Sequence, residues 1–227
     1  MPKDAAIELE AFDLDPKRRN PSVRSWALGE QRIPYLRAWE TQRELHAAVT
    51  AGTSPNTVLL LEHDSVFTAG RSTQGSDLPF DGTRVIEVDR GGRITWHGPG
   101  QLVAYPIVRL GSPLDVRRYV CRLEQAVIDV CVSFGLAASR VDGRPGVWVD
   151  GNRKVAAIGV RVARGVTMHG LALNCNNDLL PYERIVPCGI QDAGVSSLSA
   201  ELQQNITVMD AAPALERHLR TQLADYR

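Results

Sequence analysis

The segment Ile185-Val186-Pro187-Cys188-Gly189-Ile190 places one thiol between a proline and a glycine near the C-terminal end of the sequence. Proline fixes φ on one side of Cys188 and glycine frees it on the other, so this backbone can present a side chain at a bend. A thiolate at such a bend could hold an acyl group as a thioester and pass it on. A buried cysteine that serves only packing is the alternative, because a free cysteine behaves as a small hydrophobic residue.

The nucleophile needs a cation, because a free thiol with a pKa near 8.5 is only about 3% thiolate at pH 7. An ammonium about 4 Å away contributes on the order of 4 kcal/mol at an effective dielectric near 20, and half of that lowers the thiol pKa by more than one unit. Lys154 begins an otherwise apolar run and is one candidate, although a lysine at a strand start is usually solvated. His63, His97 and His169 are the others, and sequence spacing does not choose among the four.

A glycine-rich stretch, residues 90–101, surrounds two arginines, a threonine and His97 with four glycines and a proline. Such a loop lets backbone pass close to a ligand. It contains neither of the glycine patterns typical of nucleotide-binding loops, so nucleotide binding is not favoured. The alternative is a solvated hairpin tip.

Residues 167–174 predict a strand that contains His169 and Gly170. Glycine inside a strand often marks a bulge or a ligand close to the backbone. His169 could equally be a hydrogen-bonded sheet histidine. We expect it to lie close to Lys154 across the turn at residues 163–165.

Composition limits the class of protein. The 227 residues fit one domain, and 26 Lys plus Arg balance 26 Asp plus Glu, so no global charge attracts nucleic acid or a membrane. Neither a zinc-binding Cys pattern nor an apolar run of about 18 residues occurs. The acidic start is neither a signal peptide nor a transit peptide, which predicts a cytoplasmic protein. We expect a flexible tail over residues 1–22 and a single catalytic domain over residues 23–227.

Apolar residues at helical spacing predict a surface helix over residues 35–49 and a longer one that begins at Ser112. In the longer helix Ser112 would be the N-cap, Pro113 would occupy the first position, and Gly135 would end it. Strands are predicted at residues 57–61, 85–88, 101–110, 146–149, 154–162 and 166–174.

Two short turns between the last three of these strands predict an antiparallel meander. Pro106 suggests that the strand over residues 101–110 ends at an edge or a bulge. Together these elements predict an α+β domain in which helices cover one face of a sheet.

Four blocks carry a family resemblance: the glycine-rich stretch up to Tyr105, Lys154-Val-Ala-Ala-Ile-Gly159, His169-Gly-Leu-Ala-Leu-Asn174 and Pro187-Cys188-Gly189-Ile190. They resemble the lipoyl(octanoyl) transferases of lipoate biosynthesis, from about Trp26 to the C-terminus. The resemblance implies a single domain with the biotin/lipoate protein ligase catalytic fold, a mixed sheet with flanking helices. It also implies transfer of an octanoyl group from octanoyl-acyl carrier protein to the target lysine of lipoyl domains, the first step of endogenous protein lipoylation.

By the same resemblance, Cys188 is the acyl-thioester nucleophile, and Lys154 lowers its pKa and transfers protons. The implied acyl-substrate contacts are Arg90, Gly91, Gly92, Arg93, Ile94, Thr95, Trp96, His97, Ala157, Ile158, Gly159, His169, Gly170, Leu171 and Ala172. Arg93 departs from the smaller or acidic residue that many relatives carry.

The implied acceptors are the lipoyl domains of 2-oxoacid dehydrogenase complexes and the glycine cleavage H protein. No cofactor, metal, nucleic acid or membrane is expected to take part, and the protein is expected to be a monomer. The apolar residues Val147, Ile158, Leu171 and Leu173 are candidates for the wall of an acyl tunnel, although strand alternation requires some of them to face the core.

Three other functions remain compatible with these residues. An ATP-dependent lipoate or biotin ligase would share the fold without requiring Cys188. A Cys-His thioesterase would use His97 or His169 and release the free acid. A catalytically inactive binding protein for the acyl carrier or the lipoyl domain would keep Cys188 as a packing residue.

Overall fold

The central sheet is built around β2, Thr57–Leu61, and β6, Gln101–Ile107, two antiparallel neighbours whose side chains are all buried. Val58 and Leu60 enter one hydrophobic cluster, whereas Leu59 and Leu61 enter another on the opposite face. A strand buried on both faces has no polar side, so its sequence is a continuous apolar run. The computed structural model describes residues 21–186 and 193–226.

The other strands of this main sheet are β1 Ser22–Ser25, β7 Ser139–Val141, β8 Arg144–Val149, β9 Arg153–Ala163, β10 Val166–Asn174 and β11 Gly194–Val195. The strand order is β1-β2-β6-β10-β9-β8-β7, and β11 pairs with β9. The pairs β1–β2 and β11–β9 are parallel and the remaining pairs are antiparallel, which confirms the predicted mixed sheet and the meander of β8, β9 and β10.

A smaller sheet of order β4-β3-β5 consists of β3 Val66–Ala69, β4 Val85–Glu87 and β5 Thr95–His97. Its own hydrophobic cluster includes Phe67, Ile94 and Trp96 together with Tyr182 and Ile185 from the region before Cys188. This sheet therefore connects the glycine-rich loop to the chain that leads towards the cysteine.

Helices cover both faces of the main sheet, so the prediction of one covered face is wrong. The helix α1, Tyr35–Ala51, packs Ala38, Leu45 and Val49 against one face. The helices α2, Val116–Ser133, and α4, Val208–Gln222, pack on the other face, where the short helix α3, Leu198–Leu202, also lies. The reason is that the central strands are apolar on both sides and each side requires a cover. None of the helices in the described part of the chain is long and apolar enough to cross a membrane.

The start of α2 differs from the prediction. Asp115 is the N-cap, and its carboxylate accepts a hydrogen bond from the Arg118 backbone N–H at 2.8 Å. Both Ser112 and Asp115 are residue types that cap helices, and the negative charge favours Asp115 beside the positive end of the helix dipole. Gly135 ends the helix as predicted, in a left-handed conformation with φ of 81°.

Pro106 lies inside a central strand and not at a sheet edge. It pairs with Val58 on one side, but on the other side the ladder with β10 stops at Ala104 and Leu171. Beyond that point Thr167 Oγ1 donates to the Pro106 carbonyl and accepts from the Val108 N–H. This side-chain bridge supplies hydrogen-bond partners to a carbonyl and an N–H where the backbone ladder between β6 and β10 is interrupted.

We predict that Gly170→Ala destabilises the fold strongly. A Cβ at this position would lie 2.2 Å from the Ala104 carbonyl oxygen and 2.6 Å from Pro106 Cδ, so two central strands would have to separate. We expect a loss of about 3 kcal/mol of unfolding free energy and a fall in Tm of roughly 6 to 12 °C, measured by calorimetry. Gly111→Ala is the control, because nothing lies within 4 Å of its Cβ position, and a Tm equal for the two variants would contradict the prediction.

Candidate active site

A cavity of about 440 Å³ opens where β8 moves away from β9. The pairing of these strands reaches only Val147 and Ala156, because Pro145 has no N–H to continue the ladder. The edge of β9 beyond Ala156 is then lined by α2, the loop before β8 and the glycine-rich loop. The lining residues are Tyr35, Arg90–Arg93, Thr95, His97, Tyr105, Val116, Val120, Gly143–Pro145, Lys154, Ala157–Val160 and His169–Ala172.

Lys154, the second residue of β9, is held inside this cavity with 6% of its surface exposed. Its Nζ donates to the Pro145 carbonyl at 3.1 Å and lies 4.6 Å from the centre of the Trp148 ring. Gly146 makes this position possible, because its φ is 126° and a Cβ there would lie 3.2 Å from Lys154 Cε and 2.6 Å from the Ala156 carbonyl oxygen. The lysine is therefore a fixed, buried cation and not a solvated strand-start residue.

The glycine-rich loop is organised from inside by Arg90. Its Nη2 donates to both the carbonyl and the hydroxyl oxygen of Thr68, and its Nη1 donates to the carbonyl of Arg93. Gly70 and Gly159 allow the loop to approach, since a Cβ on Gly70 would lie 2.4 Å from the Gly92 carbonyl oxygen and one on Gly159 would lie 3.0 Å from Arg90 Cδ. The glycines thus serve close packing of backbone against the cavity wall.

Two of the candidate histidines are buried and neutral. His63 Nδ1 donates to the Ile33 carbonyl, and its Nε2 accepts from the Tyr105 hydroxyl. His97 Nδ1 donates to Gln101 Oε1, and its ring stacks on Tyr35 with 5.9 Å between the centroids. Burial lowers the pKa of His63 to about 4 and that of His97 to about 3. Neither ring supplies a positive charge at pH 7.

These two histidines predict acid sensitivity of the fold. The folded state keeps each ring neutral, whereas the unfolded chain takes up protons on these histidines below about pH 6.5. The unfolding free energy is therefore unaffected by titration of the two rings above that pH. It decreases as the pH falls towards 4, by about 1.4 kcal/mol per pH unit for each ring. We expect His97→Asn to reduce the slope of unfolding free energy against pH by about 1.4 kcal/mol per pH unit between about pH 6 and 4.5. Urea unfolding at a series of pH values measures this slope.

A comparison of wild type and His97→Asn at pH 8 isolates the packing cost of the substitution, since both rings are neutral there. Identical slopes in wild type and variant below pH 6 would contradict the assignment.

His169 lies far from Lys154, so the expected proximity is wrong. The β9–β10 register places His169 opposite Val160, six residues from Lys154 and thus about 20 Å along the strand. His169 donates from Nε2 to Asp89 Oδ1 at 2.7 Å, and this hydrogen bond is the main cause that lowers the pKa of Asp89. Asp89 also pairs with Arg161. Burial lowers the pKa of His169, although Asp89 opposes the shift.

Most of the substrate contacts that the resemblance implies line this same cavity. They are Arg90, Gly91, Gly92, Arg93, Thr95, His97, Ala157, Ile158, Gly159, His169, Gly170, Leu171 and Ala172. Ile94 and Trp96 do not, because Trp96 alternates with Thr95 and His97 along β5 and both Ile94 and Trp96 pack in the cluster of the small sheet. Cys188 lies outside the described residues.

Ile158 and Leu171 line the cavity as proposed for an acyl tunnel, whereas Val147 and Leu173 pack in the core. Five further cavity residues belong to no sequence motif that indicates a site: Tyr35, Tyr105, Val116, Val120 and Val160. Val116 and Val120 lie on the apolar stripe of α2, and their i, i+4 spacing does not distinguish a core face from a cavity wall.

Comparison with known proteins fits this geometry. The family model described as lipoyl protein ligase A/B catalytic domain matches residues 34–220. An octanoyltransferase of Salinispora tropica is 61% identical over 204 residues, which cover 88% of this chain and 93% of the relative. An octanoyltransferase of Thermobifida fusca is 57% identical over 201 residues, which cover 85% of each chain.

Among solved structures, lipoate-protein ligase A bound with ATP superposes with a TM-score of 0.67 at 16% identity, covering 92% of this chain and 87% of the other. The putative lipoate protein ligase Ta0514 from T. acidophilum with bound lipoic acid gives a TM-score of 0.66 at 15% identity, covering 90% and 86%. At such identities these two structures show a shared fold, which confirms the expected ligase-like architecture. The sequence identities go further: the chain belongs to the lipoyl protein ligase A/B catalytic domain family and, within it, to the octanoyltransferases.

Proposed function

We propose that this octanoyltransferase takes its acyl group from octanoyl-acyl carrier protein, holds it as a thioester on Cys188 and delivers it to the target lysine of lipoyl domains. The observation that carries the proposal is the buried ammonium of Lys154 in the wall of the cavity. With His63 and His97 neutral and His169 hydrogen-bonded to the carboxylate of Asp89, Lys154 is the cation of the four candidates that suits a thiolate partner.

The described chain on both sides of the cysteine supports this pairing. Upstream, Ile185 packs in the cluster of the small sheet and the Val186 N–H donates to the Asp77 carbonyl. Downstream, Val195 of β11 packs against the same cluster and pairs with Lys154, whose carbonyl accepts from the Ser196 N–H at 2.9 Å. The described chain that follows Cys188 in sequence therefore joins the main sheet beside Lys154.

In the first half-reaction the Cys188 thiolate attacks the thioester carbonyl of the donor, and the bond to the carrier sulfur breaks. The leaving carrier thiolate takes up a proton from the Lys154 ammonium, which becomes a neutral amine. Backbone N–H groups near the glycine-rich loop stabilise the oxyanion. One thioester is exchanged for another, so the step requires no ATP. In the second half-reaction the acceptor amine attacks the enzyme thioester, its proton passes to Lys154, and Cys188 leaves as the thiolate.

The cavity wall supplies what the intermediate needs, which is protection from water. Val116, Val120, Ile158 and Leu171 give it an apolar surface, and burial of an acyl chain there favours aminolysis by a docked lysine over hydrolysis. We propose that the cavity residues predicted from the resemblance, with Ile94 and Trp96 supporting them from behind, form the acyl-binding site.

We propose the lipoyl domains of 2-oxoacid dehydrogenase complexes and the glycine cleavage H protein as acceptors. One solved relative at 14% identity, a bipartite lipoate protein ligase from Thermoplasma acidophilum, is described together with its E2 lipoyl domain. We also propose a monomer and a cytoplasmic location. The expected tail at residues 1–22 is too long by at least one residue, because Ser22 is buried and is the first residue of β1, so we propose a tail that ends before β1. The free thiols Cys121, Cys131 and Cys175 suit a reducing compartment.

Turnover in the absence of ATP and Mg²⁺ tests the proposal. Purified chain, octanoyl-acyl carrier protein and a lipoyl domain should give a lipoyl domain heavier by one octanoyl group, and the enzyme with donor alone should carry the same adduct. An absolute requirement for ATP would instead indicate a ligase. Release of free octanoic acid without a modified lipoyl domain would indicate a thioesterase.

A further inference from the structure

Glu124 is a buried carboxylate on α2 that the mechanism above does not use, with 5% of its surface exposed. Its Oε1 accepts a hydrogen bond from the Gly146 backbone N–H at 3.0 Å. Its Oε2 accepts from Arg140 Nε, also at 3.0 Å. Both carboxylate oxygens are therefore committed to partners on the strands next to the cavity.

The Gly146 N–H and the Pro145 carbonyl belong to one peptide group, since residues 145 and 146 are consecutive. Glu124 thus binds the N–H end of the group whose carbonyl end accepts from Lys154 Nζ. A peptide group is planar and rigid, so fixing its N–H direction also fixes the direction of its carbonyl. The same glycine packs on Lys154, as a Cβ on it would lie 3.2 Å from Lys154 Cε.

We propose that Glu124 is a positioning residue for Lys154 and acts through the Pro145–Gly146 peptide. Its negative charge strengthens the hydrogen bond from Gly146 and polarises the carbonyl that receives the ammonium. The inference rests on the proposed role of Lys154 as the cation that activates Cys188.

Arg140 keeps the carboxylate in this orientation. Besides Glu124, its guanidinium donates from Nη2 to the Cys121 carbonyl at 2.6 Å and to Gln125 Oε1 at 3.0 Å. Both of these acceptors are on α2, so Arg140 ties β7 to the helix beside Glu124. Rotation of the Glu124 side chain would break the hydrogen bonds of both its oxygens at once. The packing of α2 against β7 and β8 therefore fixes the position of the Pro145 carbonyl.

The test compares Glu124→Ala and Glu124→Gln with wild type. Glutamine keeps an oxygen acceptor for the Gly146 N–H, whereas alanine leaves that peptide unheld. We expect Glu124→Ala to lower kcat between about tenfold and 100-fold, because a displacement of about 1 Å at a reacting group has effects of that size. We expect KM for donor and acceptor to stay within about twofold and Glu124→Gln to recover most of kcat. Glu216→Ala on α4, which removes an ion pair with Arg220 on the surface, is the matched control.

A second readout separates positioning from stability. The rate of Cys188 alkylation by iodoacetamide is measured against pH, with the peptide that contains Cys188 identified by mass spectrometry. We expect the midpoint to rise in Glu124→Ala by about half a pH unit or more, in the same direction as in Lys154→Met. Should Glu124→Ala fail to fold, Arg140→Gln replaces it and is expected to raise the midpoint in the same direction.

The inference would be overturned if folded Glu124→Ala, or Arg140→Gln in its place, had the kcat and the alkylation midpoint of wild type. If the midpoint were still raised in Lys154→Met, the proposed pairing of Cys188 and Lys154 would stand. An unchanged midpoint in Lys154→Met as well would overturn both.

Discussion

Cys188→Ser is expected to abolish octanoyl transfer, with kcat/KM lower by at least about 10³-fold. The hydroxyl has nearly the size of the thiol, but it does not ionise near neutral pH, so an ammonium partner such as the one we propose cannot convert it into an anion as it can a thiol. The initial rate of lipoyl-domain octanoylation measures the effect. Intact mass after incubation with the donor alone measures its cause, because the wild type should gain one octanoyl group and the variant should not.

Cys121→Ser is the control for this prediction. Cys121 is a half-buried free thiol on α2, and its side chain does not line the cavity. The control should keep both the adduct and the rate. An adduct that persists in Cys188→Ser, or disappears only in Cys121→Ser, would show that the acyl group is carried elsewhere.

Lys154→Met is expected to lower kcat by about 100-fold or more, since it removes both the cation and the proton carrier. Methionine matches the length of the lysine stem and keeps a favourable contact with Trp148, so the fold should persist. The midpoint of Cys188 alkylation against pH should move to about 8.5, the value of a free thiol. Stopped-flow or steady-state rates and the alkylation profile measure the two effects separately.

Lys154→Arg gives the matching comparison, because it keeps the charge but not the geometry. A guanidinium is planar and cannot place a single nitrogen between the Pro145 carbonyl and the Trp148 ring as an ammonium does. We expect an intermediate kcat and a midpoint below that of Lys154→Met. A kcat for Lys154→Met within about threefold of wild type would contradict the role of the lysine.

Local patterns in the sequence predicted the elements well and their packing less well. The apolar residues of the α2 stripe are close to one another in sequence, and each turn of the meander spans only a few residues. Periodicity and turn chemistry are therefore enough to find these elements. The continuous apolar run of β2 indicates that both of its faces need a cover, but no local signal specifies which helix packs on which face. Asp115 replaced Ser112 as N-cap because two good caps stood three residues apart and only one could begin the packed helix.

In the site, too, local sequence features were predictable and contacts between distant residues were not. The glycines of the loop were recognisable as positions of close backbone approach, and Gly70 and Gly159 show what they approach. Asp89 and Glu124 carry no motif of their own, and each acts on a residue at least 22 positions away. The distance between His169 and Lys154 follows from the hairpin register. The turn at residues 163–165 fixes that register, so counting strand pairs back from the turn places His169 opposite Val160 and far from Lys154.

The surroundings of Lys154 determine what its charge can do. A backbone carbonyl and an indole face hold the ammonium, and within residues 21–186 and 193–226 no carboxylate forms an ion pair with it. Dipoles and quadrupoles orient a cation without cancelling its monopole, so the positive charge at Nζ is not neutralised by a directly bonded counter-ion. In the proposed mechanism, an anion generated during acyl transfer, whether on sulfur or on the tetrahedral oxygen, would meet a positive charge that was set in place when the chain folded.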